Sequence, residues 1–419
     1  MNKVLTYYLL SIFMLANGAL FTWLFQGTPF AMWRQLIWII GLIILYKTII
    51  YVDIINIKSI LNILSVIFII NVFQALYAIA VFDFNLVRIG YGFWIYFSGI
   101  PFLLFPYFFI EYTKTTGKSR LLFLDLFIYM GMFLTLGLIV DRISGGIFTK
   151  LFLISMSNEL LGLLDSGRYC FLCEAPTTFG VYYCFCMFCT LYRLYLSESN
   201  KSKLLLLAIS LSYIVGGWMT GSRQIVLVLG IVFVIIFGFY TLFINDRKSY
   251  ITFGIVLLFL SVPYIESFLY SDKAYKERFS SSSVAKDKRS QYWEEGFKEN
   301  VSDNILIFYL GKAFSLSQGQ KAKKGELTGR HYENTFYSRI SEVGIIGVFL
   351  LLVPLYYLLR HWDGFDMFNI GLLSIYLSYL IISYISPNGS HQTTQMVVFI
   401  AMGMNLIKHE FTRDKMQLA

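Results

Sequence analysis

Three residues with chemically versatile side chains, Arg223, Arg289 and His331, lie within or near the polar segments of an otherwise apolar chain. A guanidinium group binds phosphate through two parallel hydrogen bonds and keeps its charge at any physiological pH. An imidazole titrates near neutrality and can take a proton from an attacking hydroxyl, which contributes roughly 10²–10⁴-fold in rate. Two arginines and a histidine in one pocket would therefore hold a diphosphate leaving group and activate a sugar hydroxyl without a metal ion.

Each of these residues also has a structural explanation when it is taken alone. Arg223 follows Thr220-Gly221-Ser222 at the start of an apolar run, where an arginine anchors a helix at the membrane interface. Arg289 is one of several basic residues in its loop, and His331 on its own is an ordinary loop histidine. Trp293 is expected to be a core or interface aromatic rather than a platform for sugar, and no single Tyr or Phe is informative in a chain with 18% aromatic residues.

The composition places these residues in a membrane protein. Hydrophobic residues make up 57% of the chain and charged residues only 14%, whereas soluble domains carry roughly 25% charged residues. Spans of apolar residues are expected to be helical, because lipid offers no partner to backbone polar groups. The sequence predicts an all-α polytopic fold with about 12 transmembrane helices, near 4–25, 35–51, 60–82, 92–110, 121–140, 177–196, 204–220, 225–244, 250–270, 336–359, 368–386 and 392–407.

The distribution of Lys and Arg predicts the orientation of these spans. With the N-terminus in the cytoplasm, 15 basic residues fall on the cytoplasmic side and three in the short outer connections. Both termini are then cytoplasmic, and two larger periplasmic loops cover 141–176 and 271–335. We expect one membrane domain over 1–419, with the second loop carrying the site. The net charge of +9 is explained by this asymmetry and requires no nucleic acid partner.

Several other classes of protein lack support in the sequence. The spans show no ionisable relay near their middle, which disfavours an ion-coupled transporter. Asp363 and Asp366 are close in sequence but fall on the cytoplasmic side, so metal-dependent sugar transfer is disfavoured, and no P-loop is present. We expect no metal ion and no cofactor.

The five cysteines fall into two groups. Cys184, Cys186 and Cys189 are expected to be small residues buried in lipid. Cys170 and Cys173 lie in the first outer loop, where they are either free or joined by a local disulfide bond.

Three stretches resemble the motifs of the O-antigen polymerase and O-antigen ligase superfamily. Thr220-Gly221-Ser222-Arg223 is similar to its Gly-Ser-Arg signature, and Arg289-x-x-x-Trp293 followed by Gly311 is similar to its second motif. The stretch from His331 through Asn334, Glu342 and Gly344 to Gly347 looks like its third. The resemblance covers spans seven to ten, and the first half of the chain matches only in hydropathy.

The resemblance implies a role for each matching residue. Arg223 and Arg289 would bind the diphosphate of an undecaprenyl-linked donor, and His331 would be the catalytic base or orient the acceptor. The supporting residues implied by the same motifs are Trp293, Tyr332, Asn334, Arg339 and Glu342. In many members the histidine is followed directly by asparagine, whereas here two residues intervene before Asn334.

The expectation from the resemblance is a Wzy-type O-antigen polymerase in a bacterial inner membrane. Its substrates would be undecaprenyl-diphosphate-linked oligosaccharides, joined by inverting glycosyl transfer, with a chain-length regulator and a flippase as further partners. One alternative is an O-antigen ligase that passes glycan to lipid A-core. A second alternative is a flippase for lipid-linked sugars without catalysis.

Overall fold

A computed structural model of the chain describes residues 2–51, 55–82, 86–152, 164, 167–175, 178–241, 305–311, 335–386 and 391–416. Its regular elements in these ranges are all helical, with no β-strand among them. The α-helices are α1 (Asn2–Ala16), α2 (Gly18–Phe25), α3 (Trp33–Tyr51), α4 (Ile55–Phe82), α5 (Leu86–Phe97), α6 (Phe105–Thr116), α7 (Leu122–Ile143), α8 (Ile147–Phe152), α9 (Phe179–Leu196), α10 (Asn200–Met219), α11 (Arg223–Phe239), α12 (Ile305–Leu310), α13 (Thr335–Arg360), α14 (Met367–Ile385), α15 (Gln392–Leu406) and α16 (Lys408–Met416).

The described residues contain eight helices long and apolar enough to cross a membrane, or nine if α1 and α2 form one bent span. The chain is therefore a multi-pass membrane protein built from helices. The predicted span over 250–270 lies outside the described residues. Helices α11 and α15 have 17 and 15 residues, fewer than the roughly 20 of a usual span. The count of 12 stays a prediction.

The first predicted span, 4–25, is divided into two helices that meet at an angle of 94°. Asn17 stands at the junction with φ −111° and ψ 42°, outside helical geometry. Its side-chain Nδ2 donates to the carbonyl oxygen of Phe13 over 2.9 Å, so it caps the last turn of α1. The apolar pattern does not reveal the bend, because the residues on both sides are equally hydrophobic.

The predicted span 92–110 is also interrupted. Between α5 and α6 the chain forms a short 3₁₀ helix, Ile100–Leu104, that contains Pro101. Proline has no N–H for the helical ladder, and its ring clashes with the preceding turn. A Cβ atom on Gly99 would come within 2.6 Å of the carbonyl oxygen of Gln395, so only glycine permits this approach of α15.

Side chains from neighbouring helices bind the carbonyl groups that this interruption frees. Trp38 Nε1 donates to Phe97 O over 3.1 Å, and Tyr8 Oη donates to Pro101 O over 2.9 Å. Such replacement partners are what a break in a helix requires within lipid.

Helix α9 is the centre of the bundle and packs against α7, α10, α11, α14 and α15. Most of its side chains are buried on every face, as expected for a helix surrounded by others. Cys184, Cys186 and Cys189 lie on α9 and are free thiols. They are fully buried, but by neighbouring protein helices rather than by lipid, which corrects the predicted environment.

Polar contacts group at the two ends of the bundle. At one end the pairs are Arg34 with Glu174, His391 with Glu174, Asp141 with Thr149, and Arg142 with Met219. At the other end they are Lys114 and Arg120 with Glu410, Lys408 with Asp363 and Asp366, and Arg193 with Asp125. Each pair joins residues from one predicted side of the membrane. Which end faces the cytoplasm stays a prediction.

Cys170 and Cys173 form no disulfide bond. Both are buried, and burial raises the pKa of both thiols. Cys173 Sγ donates to Ala16 O over 2.8 Å, and the backbone N–H of Ala19 donates to Leu172 O over 2.9 Å. This part of the first predicted outer loop therefore docks onto the bend between α1 and α2.

Candidate functional site

The residues predicted for the site divide into two groups. Arg223, Arg339 and Glu342 belong to the described part of the chain. The others, His331, Arg289, Trp293, Tyr332 and Asn334, lie outside the described residues. Of the predicted loop 271–335, the structure describes residues 305–311 and the first residue of α13.

Arg223 is the first residue of α11 and directly follows a tight turn. Gly221 in this turn has φ +68°, and a Cβ atom there would overlap the carbonyl oxygen of Gly167. Thr220 Oγ1 accepts from the N–H of Ser222 over 3.2 Å and completes the turn. The backbone of the turn therefore requires the glycine of the Gly-Ser-Arg stretch, and the turn determines the position of Arg223 at the start of α11.

Helices α11 and α13 both begin beside the C-terminal end of α14. Gln224 Nε2, one residue into α11, donates to Ile385 O over 3.3 Å. Thr335 Oγ1, at the start of α13, donates to Ser386 O over 2.8 Å. The structure therefore brings the Gly-Ser-Arg turn and the beginning of α13 to one end of the bundle.

Arg339 lies one turn into α13, where its side chain is only 1% exposed. Its guanidinium carbon stands 3.1 Å from the centroid of the Tyr96 ring, on the face of the aromatic system. Nε and Nη1 are buried and have no hydrogen-bond acceptor within the described part of the chain. The sequence analysis predicted only a supporting role for Arg339. Of the two predicted site arginines that the structure describes, Arg339 is more deeply buried than Arg223.

Glu342, three residues after Arg339, is 5% exposed. Its Oε2 accepts a short hydrogen bond from the Tyr96 hydroxyl. The ring of Tyr96 therefore touches the arginine through its face and the glutamate through its hydroxyl group. We call Arg339, Glu342 and Tyr96 the Arg339 site.

The backbone of α13 is kinked directly after Glu342. Val343 has φ −132° and ψ 17°, and Gly344 has φ 67° and ψ −171°, a region that glycine adopts and other residues avoid. Gln74 Nε2 donates to Val343 O over 2.5 Å and binds the carbonyl that the kink releases. The kink thus fixes the direction of the helical turn that carries Arg339 and Glu342.

Two glycines from different predicted motifs meet at this kink. A Cβ atom on Gly344 would overlap the carbonyl oxygen of Tyr309, at the end of α12. A Cβ atom on Gly311 would overlap the backbone carbonyl of Glu342. The short segment 305–311 therefore packs backbone to backbone against the Arg339 site, and both contacts depend on glycine.

A second cluster of ionisable residues was not predicted. Glu174 Oε1 is paired with Arg34 Nη2, and Glu174 Oε2 lies 2.9 Å from His391 Nε2. Thr22 Oγ1 accepts from Arg34 over 2.8 Å, and the guanidinium lies 4.9 Å from the centroid of the Trp33 ring. We call Glu174, Arg34, His391 and Thr22 the Glu174 cluster. No local sequence signal identifies it, because Glu174 and His391 are 217 residues apart.

The hydrogen bonds of His391 indicate its protonation state. Nδ1 accepts from the N–H of Thr393 over 3.3 Å and caps α15, so the ring proton belongs on Nε2, where it can donate to Glu174. Burial, together with the charge of Arg34, lowers the pKa of His391 to about 3. His391 is therefore neutral at physiological pH and is a structural donor in this cluster.

The acids near the opposite end of the bundle are occupied by protein groups. Lys408 Nζ binds both Asp363 and Asp366, and its hydrogen bond lowers the pKa of Asp363. Asn369 Nδ2 also donates to Asp363 over 2.8 Å. Among the residues that the structure describes, no three His, Cys, Asp or Glu side chains are grouped closely enough to hold a metal ion.

No protein-family model matches this chain, and no curated protein matches it.

Proposed function

We propose that this protein is a Wzy-type O-antigen polymerase of a bacterial inner membrane. It would transfer a growing glycan from undecaprenyl diphosphate to a hydroxyl group of the next lipid-linked repeat unit, on the periplasmic face. Arg223 and Arg289 would bind the donor diphosphate, and His331 would serve as the base. No cofactor takes part in this reaction.

The observation that best supports the proposal is that α11 and α13 begin at the same end of α14. The contacts of Gln224 with Ile385 and of Thr335 with Ser386 define this end. Arg223 is adjacent to Gln224, and His331 precedes Thr335 by four residues in the sequence. Two stretches that resemble the family motifs are therefore attached to neighbouring helix ends, as a shared site requires.

The chemistry assigns a separate task to each residue type. The acceptor hydroxyl attacks the anomeric carbon, and the bond from that carbon to the diphosphate oxygen breaks, with inversion. His331 takes the hydroxyl proton, and the arginines bind the charge that develops on the diphosphate. A preorganised donor of this kind contributes about 3 kcal/mol to the transition state.

An O-antigen ligase would use the same donor and the same residues. The two activities differ in the acceptor, which is a repeat unit for the polymerase and lipid A-core for the ligase. Deleting the gene separates them in intact cells. Loss of the polymerase leaves short caps of one repeat unit, whereas loss of the ligase leaves bare core.

A lipid-linked sugar flippase is the second candidate, and the broken helices favour it. Transporters bind substrates where discontinuous helices meet. The interruption between α5 and α6 and the kink at Gly344 both adjoin the Arg339 site, since Tyr96 is the penultimate residue of α5. Alternation between two access states would require such joints.

Replacing His331 by alanine distinguishes catalysis from flipping. The polymerase reading predicts that His331→Ala stops polymer formation while the protein still inserts into the membrane at normal abundance. The flippase reading predicts that most activity remains. Gel analysis of surface polysaccharide, with immunoblotting of the membrane fraction, measures both quantities.

Replacing Arg289 by lysine tests how the diphosphate is held. Lysine keeps the charge but loses the planar fork that binds two phosphate oxygens at once. We expect Arg289→Lys to shorten or abolish the polymer. Chains of wild-type length in this variant would count against bidentate binding at this position.

A further inference from the structure

The Arg339 side chain combines deep burial with unsatisfied hydrogen-bond donors. Its guanidinium remains charged in any environment that a protein provides. Burying a charged donor without an acceptor is strongly unfavourable. Nε and Nη1 carry three N–H groups that find no acceptor in the described residues. An arginine kept for structural reasons alone would be expected to have at least one oxygen partner.

Glu342 compensates the charge of Arg339 without satisfying these donors. Its carboxylate accepts from the Tyr96 hydroxyl, while Arg339 lies over the face of the same ring. The two side chains therefore approach Tyr96 from different directions. The ring of Tyr96 packs against the guanidinium carbon without accepting from Nε or Nη1, so these donors remain for an oxyanion to bind.

The kink adds a second feature that favours an anion. Beyond Gly344 the chain resumes as a helix from Ile345 to Arg360. The first N–H groups of a helical stretch and its dipole attract negative charge. The amino end of this stretch lies three residues after Glu342 in the chain, so it adjoins the Arg339 site.

The position along α13 restricts how an anion reaches the site. Arg339 is four residues beyond Thr335, about 6 Å along the helix axis from the end of the bundle. Tyr96 belongs to the candidate span Ile89–Thr116. A free anion would lose its hydration to reach this depth, whereas a phosphate attached to a lipid lies near it already.

We propose that Arg339 binds a phosphate oxyanion of a prenyl-linked lipid, as a binding residue in addition to Arg223 and Arg289. The identity of the lipid rests on the proposed function, but the presence of an anion site at Arg339 does not. Tyr96 orients the guanidinium group, and Glu342 orients Tyr96.

Binding and melting measurements on the full chain in lipid nanodiscs test this assignment. The probes are farnesyl diphosphate, farnesol and inorganic pyrophosphate. The variants are Arg339→Met, which removes the charge at similar size, and Arg339→Lys, which keeps the charge without the fork. Arg142→Met is the matched control, because Arg142 is a buried arginine that stacks on Tyr169 and donates to Met219 O.

We expect the wild type to bind farnesyl diphosphate and Arg339→Met to bind it at least tenfold more weakly. Without ligand, Arg339→Met should melt lower than the wild type, because it leaves the buried carboxylate of Glu342 without its counter-charge, so affinity is compared at a temperature at which both chains are folded. Arg142→Met should melt lower and keep its affinity. If Arg339→Met does not fold, Arg339→Lys tests the proposal instead. We expect it to bind farnesyl diphosphate at least fivefold more weakly than the wild type.

Unchanged affinity in the folded Arg339 variants would overturn the proposal. If inorganic pyrophosphate binds as tightly as farnesyl diphosphate, the site takes a free anion and the lipid assignment is overturned. If farnesol binds as tightly as farnesyl diphosphate, no anion is recognised and the proposal fails. Polymer formation is scored separately in cells. A chain that binds through Arg339 but makes no polymer refutes the proposed function alone, whereas polymer with unchanged binding in Arg339→Met refutes this inference alone.

Discussion

Arg34 and Arg339 differ in how deeply they are buried and in how many hydrogen-bond partners they have, and the more exposed of the two has more partners. The side chain of Arg34 is 23% exposed, yet it binds Glu174 and Thr22 and lies against Trp33. Arg339 is almost completely buried, yet no oxygen in the described residues accepts from it. If both arginines served only to hold helices together, the deeper one would be the better paired.

This difference separates two uses of a cation in a membrane protein. The Glu174 cluster joins α2, the start of α3, the segment 167–175 and the residue that caps α15, and its donors and acceptors pair with one another. The Arg339 site is built on a kinked helix beside another broken one, and Nε and Nη1 of Arg339 have no acceptor among the residues that the structure describes. The first arrangement stabilises one conformation, whereas the second is suited to a ligand.

The largest expected effect comes from Glu174→Gln. The variant leaves Arg34 partly buried without its counter-charge, and removing one member of such a pair costs about 3 kcal/mol. Thermal unfolding in nanodiscs should show a clear fall in Tm. The matched control is Glu198→Gln, an exposed acid that should change little. Equal Tm values for the two variants would show that pairing does not distinguish Arg34 from Arg339.

Gly344→Ala should disturb the Arg339 site next most strongly. Alanine is strained at φ 67° and ψ −171°, and its Cβ would overlap Tyr309 O. We expect a loss of about 1–3 kcal/mol in stability, together with weaker binding of a prenyl diphosphate. Gly230→Ala is the control, because that glycine has open space where a Cβ would stand. A variant at Gly344 with wild-type Tm would contradict the geometry of the kink.

Tyr96→Phe sharpens the comparison within the Arg339 site. The ring that supports Arg339 remains, but Glu342 loses its hydrogen-bond donor, which costs about 1–3 kcal/mol for a buried acceptor. We expect a lower Tm for Tyr96→Phe, although its ring keeps the cation–π contact with Arg339. Binding of farnesyl diphosphate should weaken less than in Arg339→Met. A greater loss of binding than in Arg339→Met would place the main anion contact on the hydroxyl group instead.

The smallest expected effect is the pH dependence that His391 contributes. Its folded-state pKa of about 3 lies below the ordinary 6.5, so between these values the unfolded chain binds a proton that the folded chain does not. Stability from this group is therefore full above pH 6.5 and decreases as the pH falls towards 3. Tm measured from pH 7.5 to 4.5 should fall less in His391→Gln than in the wild type. His409→Gln, at a histidine that is 73% exposed, should keep the wild-type slope.

Local sequence was sufficient to predict the helical class and most of the spans, because hydropathy over about 20 residues decides whether a helix enters lipid. It did not reveal the bend at Asn17, because the residues on both sides are equally hydrophobic. It also could not supply the partners of the interruption at Pro101, because Tyr8 and Trp38 belong to distant helices. The contact of Glu342 with Tyr96 joins residues 246 positions apart. The resemblance to the family motifs identified Arg339 and Glu342 as supporting residues but did not predict that both are buried.

The docking of the segment 167–175 onto the α1–α2 bend has a consequence for biogenesis. Cys173 and its acceptor on Ala16 are 157 residues apart, so at ordinary rates of synthesis roughly 8–30 s separate their emergence from the ribosome. The N-terminal helices are therefore synthesised before the segment that docks onto their bend, and the contact between Cys173 and Ala16 forms late in the maturation of the bundle.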